Sequence, residues 1–182
     1  MIFVTDATGQ TIHTSSNWPE LTGQSVKDSL GKGWLQCVHP EDREIVEQTL
    51  HEALSNVSEF SIRYRLIKPS GNYRWVGVGG VPSIGPPDYT FIGYLGSLTE
   101  IAGGATLGHQ AYGNVERFVP PPPHPATMPS CTLDLVADHL ILAHSLIEGD
   151  GGKEALPDLR RALFKIGQAL AARTKQRVRT LN

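Results

Sequence analysis

Glu59-Phe60-Ser61-Ile62-Arg63-Tyr64-Arg65-Leu66-Ile67-Lys68, then Pro69-Ser70-Gly71-Asn72, then Tyr73-Arg74-Trp75-Val76-Gly77-Val78-Gly79-Gly80-Val81, is the stretch that decides the fold of this 182-residue chain. In Glu59–Lys68, Phe60, Ile62, Tyr64 and Leu66 alternate with Ser61, Arg63 and Arg65, the period of two expected of a strand with one wet face. Gly71 can take a positive φ without steric penalty, so Lys68–Asn72 is a hairpin turn and Tyr73–Val81 the partner strand. A looser Pro/Gly loop, Pro82–Asp88, leads to a third strand over Tyr89–Leu98. Three antiparallel strands in succession follow.

Upstream, Ile2–Thr5 and Thr11–Thr14 read as two short strands around the turn Ala7-Thr8-Gly9-Gln10. Asn17–Leu21 and Val26–Leu30 are long enough only for single helical turns. His39-Pro40-Glu41-Asp42 starts a longer helix, because proline fits the first helical position and the two acids favour the positive end of the helix dipole. That helix turns Ile45, Leu50 and Leu54 towards a core and stops near Ser55-Asn56. The order is two strands, small helices, one longer helix and three antiparallel strands.

Residues 1–102 in this order resemble a PAS sensor domain of the bacterial subgroup found in sensor kinases. Four segments carry the resemblance: Ile2–Gly9; Asn17-Trp18-Pro19-Glu20-Leu21-Thr22-Gly23; Val38-His39-Pro40-Glu41-Asp42-Arg43; and Arg63–Val76 together with Gly93–Glu100. It implies an α+β fold, a five-stranded antiparallel sheet with helices on one face and a small pocket between them. It also implies ligand sensing, dimerisation and signal relay. Two departures bear on the relay. Ser97 stands where the family commonly has an aspartate, and Ala102-Gly103-Gly104 would stop an exiting signalling helix.

Sheet alternation makes Phe60, Ile62, Tyr64, Trp75 and Tyr94, with Trp34 and Cys37 ahead of the main helix, the candidate ligand-pocket residues. The same residues also suit a fully packed core. No catalytic constellation is present, so an enzyme is not expected. Gly77-Val78-Gly79-Gly80 lies inside a late strand with no helix start after it, which disfavours a phosphate loop and points to close packing. Cys37 and His39 supply two metal ligands where zinc wants at least three, so no metal is expected. Leu35-Gln36-Cys37-Val38 does not match the flavin-reactive sequence of photosensing relatives, and His51 is the lone helical candidate for haem. Both cofactors are disfavoured, and the sequence requires none.

Residues 103–130 form a Gly/Pro-rich linker containing Pro120–Pro123, which favours an extended polyproline spacer. Residues 131–182 carry helical periodicity. Leu133, Val136, Leu140, Ala143 and Ile147 recur at helical spacing, widened by Leu135, Leu142 and Leu146. Gly149-Asp150-Gly151-Gly152 breaks the pattern, and Leu159, Leu163, Ile166 and Leu170 resume it. The short break predicts an antiparallel helical hairpin. Two helices bury too little alone, so the hairpin needs another surface, a second copy giving a homodimer or a signalling partner. His139 and His144 on the first helix raise a kinase-like phosphoacceptor alternative, but neither Asp138-His139-Leu140 nor Ala143-His144-Ser145 fits the usual phosphoacceptor sequence.

The net charge of −2 conceals a tail from Lys153 onward with eight basic residues against two acids. A nucleic-acid contact by this last helix is weighed against a solvated face; no helix-turn-helix pattern supports it. Apolar residues make up 40% and charged residues 19% of the chain, which is globular composition rather than disorder. No run is long and apolar enough to span a membrane. Two distant cysteines, Cys37 and Cys131, suit free thiols in a reducing cytoplasm.

Overall fold

The computed structural model describes residues 1–85, 90–101 and 110–180. Two short strands, β1 (Ile2–Thr5) and β2 (Thr11–Thr14), precede helices α1 (Trp18–Thr22), α2 (Val26–Ser29) and α3 (Arg43–Asn56). Strands β3 (Phe60–Ile67), β4 (Tyr73–Gly85) and β5 (Thr90–Glu100) follow, then a short β6 (Tyr112–Asn114). Two helices close the chain, α4 (Thr132–Asp150) and α5 (Leu156–Thr180). All neighbours pair antiparallel in the order β2-β1-β5-β4-β3-β6. The expected antiparallel sheet is thus present, with a correction from five strands to six among the described residues. The extra strand comes from the linker, which lays Tyr112–Asn114 along Arg63–Ser61 of β3 and uses an otherwise open edge.

The loop expected from Pro82 begins later. β4 runs to Gly85, with Pro82 opposite Tyr94. Beyond Gly80, β4 has lost its β3 partner, so the ladder bond that proline cannot donate is not needed on that edge. The rest of that loop, and the Ala102-Gly103-Gly104 break, lie outside the described residues.

Each sheet face has its own core. On the inner face Phe60, Ile62, Tyr64, Leu66, Val76, Val78, Tyr94 and Leu98 pack with Trp18, Leu21, Val46 and Ala53 from α1 and α3. On the outer face Ile2, Val4, Val81 and Leu95 pack with Ala137 and Ile141 of α4 and with Leu163 and Leu170 of α5. The helices of the first hundred residues thus share one face, as expected, and the C-terminal hairpin covers the other. Arg160 Nε donates to His144 Nε2 at 3.1 Å, which marks the antiparallel run of α5 against α4.

The linker is not a free spacer either. Phe118 is 1% exposed and lies over Gly79, where any Cβ would come within 2.1 Å of its ring and 2.5 Å of the Phe60 carbonyl. The glycines of β4 thus serve close packing, as their place in a strand predicted. Backbone Phe118 N–H donates to Glu59 Oε2 at 2.7 Å and fixes this passage to the start of β3.

The buried face of α4 only partly follows the sequence stripe: Leu133 and Leu140 pack against the outer core as expected, but the fully buried positions lie beside them. Asp134, Ala137, Ile141 and His144 point inward, while Leu135, Val136, Leu142 and Leu146 stay exposed. Polar contacts turn the helix this way. Asp134 sits 3.7 Å from His13 Nε2 of β2, and His144 Nδ1 lies 3.5 Å from Glu59. From α5, Thr174 Oγ1 meets His13 Nδ1 at 2.5 Å.

Candidate functional site

Period-two strands bring one candidate set together. β3 aims Phe60, Ile62 and Tyr64 at the inner face, and β5 aims Tyr94 there too. With Trp34 from the turn before α3, these five line an interior cavity of about 70 Å³. Leu50 and Leu54 of α3 and Thr5, Thr11 and Thr14 of β1 and β2 complete its wall. No charged side chain lines it among the described residues. Tyr94 and Phe60 meet edge to face at 5.1 Å, and Trp34 lies 6.4 Å from Tyr64.

The two tyrosines differ in their bonding. Tyr94 donates its hydroxyl to Ala53 O at 2.7 Å and Ser58 O at 2.9 Å. It thereby serves the frayed carbonyl end of α3, and burial pushes its phenol up to about 12. Burial, then the neighbouring Cys37, pushes the Tyr64 phenol higher still. Among the described residues no hydrogen bond reaches the Tyr64 hydroxyl, although the residue is only 2% exposed. The Tyr64 hydroxyl is therefore an unpaired neutral donor in a mostly apolar wall. The cavity's volume is half the roughly 150 Å³ of an engineered apolar cavity that takes up benzene.

Two candidates fall outside it. Trp75 pairs with Arg65 and so shares the arginine face of β3 and β4, opposite the cavity. There the Arg63 and Arg65 guanidinium groups each lie 5.6 Å from its ring, a favourable cation–π arrangement. Val76 and Val78 take the inward positions that Trp75 was expected to hold. Cys37 is buried beside the cavity without lining it; its Sγ contacts Gln24 Oε1 at 3.5 Å. Burial pushes its thiol up, against a partly offsetting bond with Thr22, so it is a packing residue and a poor nucleophile.

His39-Pro40-Glu41-Asp42-Arg43 proves to be a clip. Asp42 accepts from the Arg65 backbone N–H at 2.8 Å and from Arg65 Nε at 3.0 Å, while Glu41 takes Arg65 Nη2 at 2.8 Å. Burial alone would raise the Asp42 carboxyl, but the side-chain and backbone bonds from Arg65 outweigh it and hold it below the usual range. These acids tie the start of α3 to β3; the sequence reading had given them only to the helix dipole. His51 is exposed on α3.

His139 is exposed on α4 and His144 is fully buried. His144 accepts from Arg160 at Nε2, and its Nδ1 faces the Glu59 carboxylate at 3.5 Å, so the ring is held between two charged partners. The basic residues of the tail, Lys165, Arg173, Lys175, Arg177 and Arg179 among them, are exposed along α5. Among the described residues, no three metal-ligating side chains gather and no helix is long and apolar enough to cross a membrane.

Residues 11–86 match the family model described as PAS fold. An uncharacterized protein of Sinorhizobium fredii is 38% identical over 101 residues, which cover 56% of this chain and 12% of that protein. A peroxide stress-activated histidine kinase of Schizosaccharomyces pombe is 27% identical over 109 residues, or 56% of this chain and 7% of the kinase. The chain thus spans a small fraction of the length of the curated relatives it matches. Among solved structures, the Rhodobacter sphaeroides LOV protein aligns over 97% of this chain and 90% of its own at 16% identity, with a TM-score of 0.51. That likeness is one of fold, and it extends beyond the sheet into the C-terminal helices.

Proposed function

We propose, from the PAS domain that this chain carries over residues 11–86, that the protein is a non-catalytic signal-transduction module. In this reading the interior cavity receives a small, neutral, mostly apolar cue with one hydrogen-bond acceptor, placed against the free Tyr64 hydroxyl. The hairpin on the opposite face passes the change on. One observation carries the reading: β1 lines the cavity with Phe3 and Thr5 and supports the hairpin with Ile2 and Val4. A four-residue strand cannot shift one row of side chains without the other, because the two alternate along a single backbone.

The exposed Leu135, Leu142 and Leu146 recur along one side of α4 and suit a second copy of the chain, so we place a homodimer there. A partner signalling protein is the other occupant that face would take. A cytoplasmic site of action fits the two free cysteines. The test fills the cavity by Ile62→Phe and follows hydrogen exchange at Ala137–Ser145 of α4. Coupling predicts that exchange there changes by about tenfold, the equivalent of 1.4 kcal/mol. Unchanged protection in a folded variant refutes the relay.

A further inference from the structure

A second space lies on the other side of the sheet, between β1, β2, β4 and β5 and helix α5. Its volume is about 310 Å³, more than four times that of the interior cavity at about 70 Å³. Val4, Ile12 and Ile92 line it from the sheet, and Phe164, Gly167 and Ala171 from the helix.

Gly167 is the first sign that the space is built. Glycine inside a helix weakens it relative to alanine. Here neither backbone nor packing requires it, since an added Cβ would meet only Val4 Cγ1, at an ordinary 3.8 Å. What the missing side chain does is leave the cleft open. Ser83 is the second sign. It is 7% exposed, lines the cleft and has no hydrogen-bond partner among the described residues. Lys175 is the third: an exposed cation on the rim, in no ion pair among the described residues.

Their placement gives the cleft a direction. Ser83 stands two residues before Gly85, where a Cβ would lie 2.8 Å from the Phe164 ring, so it marks the Phe164 end. Lys175 follows Thr174, which holds His13 of β2, and marks the other end. Phe164 to Lys175 spans about 16 Å of helix. A cavity of about 150 Å³ takes six carbons, so one of about 310 Å³ takes about twelve, room for a ten-carbon chain together with its polar ends.

We propose that this cleft binds an elongated monocarboxylate of about ten carbons, with its carboxylate on Lys175, its apolar body against Gly167 and Ala171, and a hydrogen-bonding far end on Ser83. The site is separate from the interior cavity. It lies between the PAS sheet and the hairpin, so its occupant clamps the two together.

Titration calorimetry on the full chain with 10-hydroxydecanoate, decanoate, 1-decanol and decyltrimethylammonium tests this. Both carboxylates bind saturably below their micelle-forming concentrations, and the hydroxy acid binds about threefold tighter through Ser83. Lys175→Gln, on the surface, weakens both by about tenfold. Ser83→Ala removes the preference for the hydroxy acid. Gly167→Leu blocks the cleft, and Gly167→Ala, which the helix accepts, weakens binding in the same direction. The proposal falls if the alcohol or the cation binds as tightly as decanoate, if Lys175→Gln changes nothing, or if no saturable heat is seen. Binding lost on Ile62→Phe but kept in Gly167→Leu would move the ligand to the interior cavity, overturning this site while leaving the sensor reading intact.

Discussion

Replacing Asp134 by Asn measures how firmly the hairpin is held to the sheet. Asp134 is 1% exposed in the first turn of α4, accepts from Ser130 Oγ at 2.8 Å and faces His13 Nε2 at 3.7 Å. Burial alone would raise its carboxyl, but His13, Ser15 and Ser130 outweigh burial and hold it at about 2, against an ordinary 3.8. At about 1.4 kcal/mol per unit, the ionised carboxylate contributes roughly 2 kcal/mol. This is a ceiling, because 3.7 Å is longer than a good hydrogen bond to His13. The folded-state value is depressed, so the contribution is complete above pH 3.8 and is lost as pH falls towards 2. Asn keeps the shape without the charge. Urea unfolding should therefore find Asp134→Asn less stable by about 1–2 kcal/mol at pH 7, with the gap closing through that acid window. Burial also lowers the Met1 amine to about 6, partly offset by Asp138 and Asp134, so it titrates well away from this window. Equal stability at pH 7, or a gap at pH 2 as large as that at pH 7, would refute the electrostatic latch.

Four further outcomes follow from the structure. Phe118→Ala should cost about 3 kcal/mol in denaturant unfolding. Gly79→Ala should cost about 2 kcal/mol or more, and somewhat less in the Phe118→Ala background, where the Phe118 ring is gone but the Phe60 carbonyl still stands 2.5 Å from the added Cβ; strictly additive losses would contradict the Phe118 contact. Tyr94→Phe removes the donor to the Ala53 and Ser58 carbonyls and should lower stability by about 1–2 kcal/mol without changing the sheet's circular dichroism. Leu142→Asp with Leu146→Asp should leave a folded monomer by sedimentation, and a wild-type chain that is already monomeric at high concentration removes the homodimer.

Strand periodicity made the inner face legible. Phe60, Ile62, Tyr64 and Tyr94 all line the cavity, because a period of two leaves a side chain only two choices. Trp75 was misassigned for a related reason. An aromatic ring was taken as apolar wall, although its position opposite Arg65 already placed it with the arginines. The hairpin's docking was not legible. Apolar periodicity pointed α4's leucines inward, and Leu133 and Leu140 do pack on the outer core, but Leu135, Leu142 and Leu146 stay exposed and the docked face also carries Asp134 and His144. Their partners, His13 and Glu59, lie more than eighty residues away in sequence. Phe118 was hidden for the same reason, a single aromatic in a proline-rich stretch with no periodicity to place it.

Ser97 links the departure from family pattern to the position of the hairpin. It pairs with Ile2 and Gly79, alternates with the inward Leu98, and is 1% exposed on the face that the hairpin covers. An aspartate at this position, as the resemblance to PAS domains would imply, would be buried on that face as a charge, at a cost of several kcal/mol. Serine carries no such cost beyond an unsatisfied hydroxyl, which Ser97 Oγ displays. A small uncharged residue here is therefore compatible with a helical hairpin closing over the sheet. On this argument Ser97→Asp should release α4 and α5 to fast hydrogen exchange while the inner core around Tyr64 stays protected. Loss of both together would mean that the two faces fold as one inseparable unit, leaving the hairpin no freedom with which to signal.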